Sequence, residues 1–136
     1  MITNFDKQNK LFDEGYCFET GKGVPQNFEL AIQKYEQAGK LGHANAYCRA
    51  GVCCQFKMNP MNVNRAVHYY NLSIKEFELD QDHNDAMGYV YLSECYKMGI
   101  GVEQDNEKAK ELMKKAQLYG VSILEINKLK KENKIE

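Results

Sequence analysis

The sequence predicts an all-α domain: three helix-turn-helix units stacked in chain order, with a C-terminal capping helix over residues 121–136. Three observations point to it. The chain overlays on itself when shifted by 78 residues, and more weakly when shifted by 35. Small residues and aromatics recur at helical spacing within each copy, and strand-like alternation is supported nowhere. At 136 residues, with 43% hydrophobic and 27% charged side chains, the chain has the size and composition of one globular domain, residues 1–136. Lys and Arg total 18 against 19 Asp and Glu, so bulk charge argues against nucleic acid as a partner. No apolar run approaches the roughly 18 residues of a membrane helix, so membrane insertion is not expected either.

The repeat is read residue by residue. The 78-residue shift lays Gly21-Lys22-Gly23-Val24-Pro25-Gln26-Asn27 over Gly99-Ile100-Gly101-Val102-Glu103-Gln104-Asp105, and eight of the 22 positions from 21 to 42 are identical. In the first unit, residues 8–43, Leu11, Gly15 and Phe18 form a stripe on helix A. A glycine-bearing turn follows, then a helix B that starts after Asn27 and carries Ala31, Tyr35 and Ala38 to a closing Gly42. In the second unit, residues 44–83, Tyr47, Ala50, Gly51 and Cys54 fill the same stripe, and Ala66 and Tyr70 match Ala31 and Tyr35. The third unit, residues 84–120, repeats the pattern through Tyr89, Leu92, Ser93 and Tyr96, then Ala109, Met113, Ala116 and Gly120. Small residues allow two helices to approach closely, while a tyrosine or phenylalanine fills the space beside them. A lone hairpin cannot cover its apolar stripe, so neighbours must stack. The tail places Ile123, Leu124, Ile126 and Leu129 ahead of a lysine-rich stretch, which reads as a cap with a polar outer face.

The run from Leu92 to Val102, followed by Asp105, Lys108 and Ala109, resembles the Sel1-like repeat signature LG-x2-Y-x2-G-x-GV-x2-D-x2-KA. The first copy fits through Gly15, Phe18, Gly21, Gly23, Val24, Asn27, Ala31, Tyr35, Ala38 and Gly42. The middle copy departs from it: Phe56-Lys57-Met58-Asn59 replaces the glycine turn, and Ser73 and Phe77 stand where alanine and glycine are expected. Glu14 takes the place of the first helix-A leucine. The stretch from Glu76 to Asp85 is several residues longer than its counterpart, as an acidic loop or an extended helix B. The resemblance implies a right-handed α/α solenoid, similar to tetratricopeptide repeats, that binds a protein or peptide on its concave helix-A face. It also brings in bacterial proteins acting at a host interface and immunity proteins that neutralise a cognate toxin.

An outward set on each helix A then supplies the candidate binding residues. These are Asn9, Phe12, Tyr16 and Glu19 in the first unit, Asn45, Cys48, Val52 and Gln55 in the second, and Met87, Val90, Glu94 and Lys97 in the third. A register slipped by one residue would instead make Phe12, Val52 and Val90 core. No catalytic motif is present, and Gly21-Lys22-Gly23 lacks the rest of a phosphate loop. No cofactor or metal is expected, because His43, His68 and His83 are scattered and the cysteines do not form zinc-type pairs. Five cysteines, with Cys53 and Cys54 adjacent, make a poor disulfide framework and suit buried thiols in a reducing compartment. With no secretory signal visible at the N-terminus, a cytoplasmic setting is expected. Stacking of two copies through residues 121–129 into a homodimer is a further expectation.

Overall fold

The computed structural model describes residues 1–135, and among these every regular element is helical. Three antiparallel helix pairs follow one another: α1 (Asn4–Thr20) with α2 (Phe28–Lys40), α3 (Ala44–Val52) with α4 (Val63–Leu79), and α5 (Met87–Met98) with α6 (Asn106–Leu118). α2 packs on α3 and α4 on α5, so the pairs stack in chain order. Helix α7 (Ile123–Glu132) ends the chain. Residue 136, the last of the expected cap, lies outside the described residues.

Each pair closes by the same local chemistry. The side chains of Asn27, Asn62 and Asp105 each accept an N–H three residues on, from Leu30, Arg65 and Lys108, and so cap α2, α4 and α6. Each capping residue also donates its own N–H back to helix A: Asn27 to the Phe18 carbonyl, Asn62 to Cys54 and Asp105 to Tyr96, at 2.8–2.9 Å. In the outer units Gly21, Gly23, Gly99 and Gly101 have φ between 69° and 77°, a left-handed shape that favours glycine. The Gln26 amide donates to the Glu19 carbonyl and the Gln104 amide to that of Lys97, both at 2.9 Å, so the two loops are built alike down to this side chain. The middle unit reaches the same closure with a shorter connection. Its helix A widens into a π-helical turn, Cys53–Lys57, that substitutes for the glycines.

The core runs along the A–B seams. A Cβ on Gly15 would lie 2.7 Å from the Tyr35 ring, and one on Gly51 would lie 2.5 Å from that of Tyr70. Each tyrosine spans its glycine and donates its hydroxyl one turn further along helix A, Tyr35 to Glu19 and Tyr70 to Gln55, both at 2.7 Å. In the third unit, serine stands at position 93 and methionine at position 113, so no ring requires a glycine. The Ser93 hydroxyl donates to the Ala109 carbonyl instead, at 2.6 Å.

The insertion between the second and third units is both an extension and a loop. α4 runs 17 residues against 13 in α2 and α6. The loop beyond it then turns back over the start of α3. Asn84 Oδ1 accepts the N–H of Ala44 at 2.8 Å, and the Asn84 amide donates to the Asp80 and Gly42 carbonyls. α7 is the expected C-terminal cap, and its outer side carries Glu125, Asn127, Lys128, Lys131 and Glu132. It turns Ile126 and Leu129 inward and leaves Ile123 and Leu124 largely exposed. It is tied to α5 by a Lys130–Glu94 ion pair (3.3 Å), and its C-cap Asn133 donates to the Tyr91 hydroxyl (3.2 Å).

Candidate binding groove

The A helices line up side by side, and the insertion loop and α7 close their common face into a groove of about 330 Å³. α1 contributes Phe12, α3 contributes Asn45, Cys48 and Arg49, and α5 contributes Met87 and Tyr91. Asp85 comes from the insertion loop, and Glu125, Lys128, Leu129 and Glu132 come from α7. The floor is aromatic and stiff. Phe12 stacks on His43 with ring centres 4.6 Å apart, and Tyr91 stacks on the buried Tyr70 at 5.2 Å. Burial holds the His43 imidazole below its ordinary pKa, which keeps Nδ1 free to accept the Ala46 N–H and cap α3.

The groove's charges are ordered from below. Glu19 is buried, accepts the Tyr35 hydroxyl and pairs with Arg49, so Arg49 enters the groove already neutralised and fixed in position. The Asn45 amide donates to Asp85 at 3.2 Å, while its Oδ1 is buried without a donor. Desolvation raises the Asp85 carboxyl above its ordinary value, and the nearby charge of Glu125 adds to the shift.

The expected outward residues divide into three groups. Phe12, Asn45, Cys48 and Met87 meet in the groove. Asn9, Tyr16 and Lys97 are open to solvent in whole or part, away from it. Val52 and Val90 are fully buried and belong to the core, the slipped-register alternative, because α3 and α5 are flanked by helices on both sides. Glu19, Gln55 and Glu94 are buried too, but as hydrogen-bonding struts: Gln55 takes the Tyr70 hydroxyl, and Glu94 takes Lys130. Arg49, Tyr91 and Asp85, with Glu125, Lys128, Leu129 and Glu132 of α7, also line the groove and lie outside the expected outward set. The first two sit one residue beyond Cys48 and Val90, where a one-residue register shift would have found them. Asp85 reaches the groove through a loop path that helical periodicity does not encode.

The cysteines are all free thiols, four of them buried. Burial pushes Cys54 up to about 11 and Cys95 up to about 12, so both are held as thiols rather than nucleophilic thiolates. No group of three or more His, Cys, Asp or Glu among the described residues is arranged to hold a metal ion. Among the same residues, no helix is long and apolar enough to cross a membrane.

A family model for the Sel1 repeat matches residues 8–43, 44–76 and 86–116. A crystal structure of a Sel1 repeat protein from Oxalobacter formigenes is 30% identical and superposes with a TM-score of 0.71 over 84% of this chain and 44% of its own. A second, c5321, a protective antigen of uropathogenic Escherichia coli with an SLR fold, is 22% identical, with a TM-score of 0.69 over 84% of this chain and 23% of its own. The chain therefore spans less than half the length of either protein. No curated protein matches it.

Proposed function

Because the chain belongs to the Sel1 repeat family, whose members mediate protein–protein interaction, we propose that it is a non-catalytic adaptor gripping a protein or peptide across its concave helix-A face. The observation that carries this reading is the groove itself. It is shared by all three A helices, floored by fixed aromatics and rimmed by charge, the composition of a protein-binding patch. The raised Cys54 and Cys95 thiols argue against either acting as a nucleophile. Five free cysteines favour a reducing compartment such as the cytoplasm.

The test is affinity capture from the native cell extract with three baits: the unaltered chain, a groove variant (Asp85→Lys, Lys128→Glu, Glu132→Lys) and an outer-face variant (Gln33→Lys, Lys114→Glu). The same captured protein should remain on the unaltered and outer-face baits and fall at least tenfold on the groove bait. Equal capture by all three would move the binding face elsewhere.

A second reading, self-association, draws support from Leu118, Ile123 and Leu124, which are 64–81% exposed at the α6–α7 end. Sedimentation of the chain with and without Leu124→Lys distinguishes it. A dimer that the substitution dissolves supports the reading, and a monomer at all concentrations removes it.

A further inference from the structure

We propose that His43 is a proton-sensitive latch on the concave face: charging its imidazole uncaps α3, releases Phe12 and loosens the junction between the first two units. This goes beyond the adaptor reading, because it concerns when the groove floor is held together and not what the groove holds.

The latch is first a matter of geometry. His43 stands at the N-cap of α3, and its Nδ1 accepts the Ala46 N–H at 3.1 Å. The neutral ring must then carry its proton on Nε2. An imidazolium has a proton on both nitrogens and no acceptor left, so this bond cannot survive charging. The charged ring would also meet the N-terminus of α3, where free N–H groups gather positive partial charge. Among the described residues, the other side-chain caps are Thr3, Asn27, Asn62, Asp105 and Ser122. None of those groups takes up a proton between about pH 5 and 8, so α3 alone has a cap that titrates there.

The same ring supports the groove floor. It lies flat on Phe12, with centres 4.6 Å and planes 4° apart, and Phe12 meets Tyr35 at 5.4 Å. Tyr35 donates to Glu19, which fixes Arg49. One imidazole thus joins the first turn of α3 to α1 and, through two further rings, to the Glu19–Arg49 pair. The charges around it are few. Asp13 on α1 favours the proton, Lys40 at the end of α2 is paired with Glu36, and Asp85 of the insertion loop is held by the Asn45 amide. Burial outweighs Asp13 and holds the ring below its ordinary value. The ring is only half-buried, so a proton from solvent reaches it without global unfolding. As pH falls, the unfolded chain takes up this proton first. The stability that the cap contributes is therefore complete at neutral pH and is lost below about 6.5.

The test follows the full chain by NMR from pH 7.5 to pH 5, beside His43→Asn, which keeps a good N-cap but does not titrate. His68→Asn and His83→Asn serve as controls. In the unaltered chain and both controls, the Ala46 amide should lose at least threefold in exchange protection across this range. The Phe12 ring resonances should move with the same midpoint, below 6.5. In His43→Asn both should stay constant. An Ala46 amide equally protected at the two ends of the range, or one that loses as much protection in His43→Asn, overturns the latch. A second measurement needs no substitution: nitrogen shifts of the His43 ring at pH 7.5 should report the Nε2–H tautomer, and the Nδ1–H tautomer would equally overturn it. Failure of the latch is distinct from failure of the adaptor reading, which capture on the three baits decides.

Discussion

Tyr69 and Glu36 show how single hydroxyls join one repeat to the next. Tyr69 on α4 donates to Glu36 on α2 at 2.7 Å, across the seam between the first and second units. That bond is the main reason the Glu36 carboxyl lies below its ordinary value, with Lys40 and Arg65 assisting and desolvation opposing. A carboxyl lowered in the folded chain adds stability above its unfolded pKa of 4.5, and loses that increment as pH falls through the folded value. Tyr69→Phe keeps the ring and removes the donor, so it should cost about 1 kcal/mol at pH 7. The penalty should shrink at acid pH, once the carboxyl is protonated in both variants. Denaturant unfolding at neutral and acid pH measures the difference, and an equal penalty at both would place the effect in ring packing instead. Arg49 and Glu19 work at the same scale at the groove's edge, where a buried carboxylate fixes the direction of a cation that would otherwise enter the groove unpaired.

Among the elements, the A–B seam follows one rule with two solutions. Glycine on helix A goes with tyrosine on helix B in the first two units, and serine goes with methionine in the third. Gly15→Ser alone pushes a side chain into the Tyr35 ring and should destabilise by about 1–3 kcal/mol. Adding Tyr35→Met copies the third unit's pair, Ser93 with Met113, but also removes the Tyr35–Glu19 bond, so the double variant should lose less than the sum of the two single penalties in thermal melts. Additive penalties would mean that the two positions do not share one contact. This level was the most legible in the sequence. The glycine turns, the caps Asn27 and Asp105 and the small-residue stripe are local chemistry that recurs at fixed spacing, so repetition reveals them. The middle turn was not legible, because a π-helical turn at Cys53–Lys57 achieves by backbone geometry what the other units achieve with glycine. The insertion is legible in the sequence as an acidic loop or an extended helix B, and it is both. Its use of Asn84 to cap the Ala44 N–H and of Asp85 to wall the groove depends on where a non-repeating loop lands in space.

Over the whole molecule, stacking three pairs creates the concave face, and α7 with the insertion loop turns that face into a bounded groove. The groove residues were legible only in part, for a physical reason. Periodicity tells which residues share a side of helix A, but the burial of that side depends on how closely neighbouring helices flank it. They flank α1 least, so Phe12 and Tyr16 keep some exposure, and they flank α3 and α5 on both sides, so Val52 and Val90 disappear into the core. The most direct measurement is hydrogen–deuterium exchange of the chain free and bound to its captured partner. Binding across the concave face predicts new protection in α1, α3, α5 and the 80–86 loop, with α7 altered and the outer sides of α2, α4 and α6 unchanged. Protection concentrated on α2, α4 and α6 would contradict it.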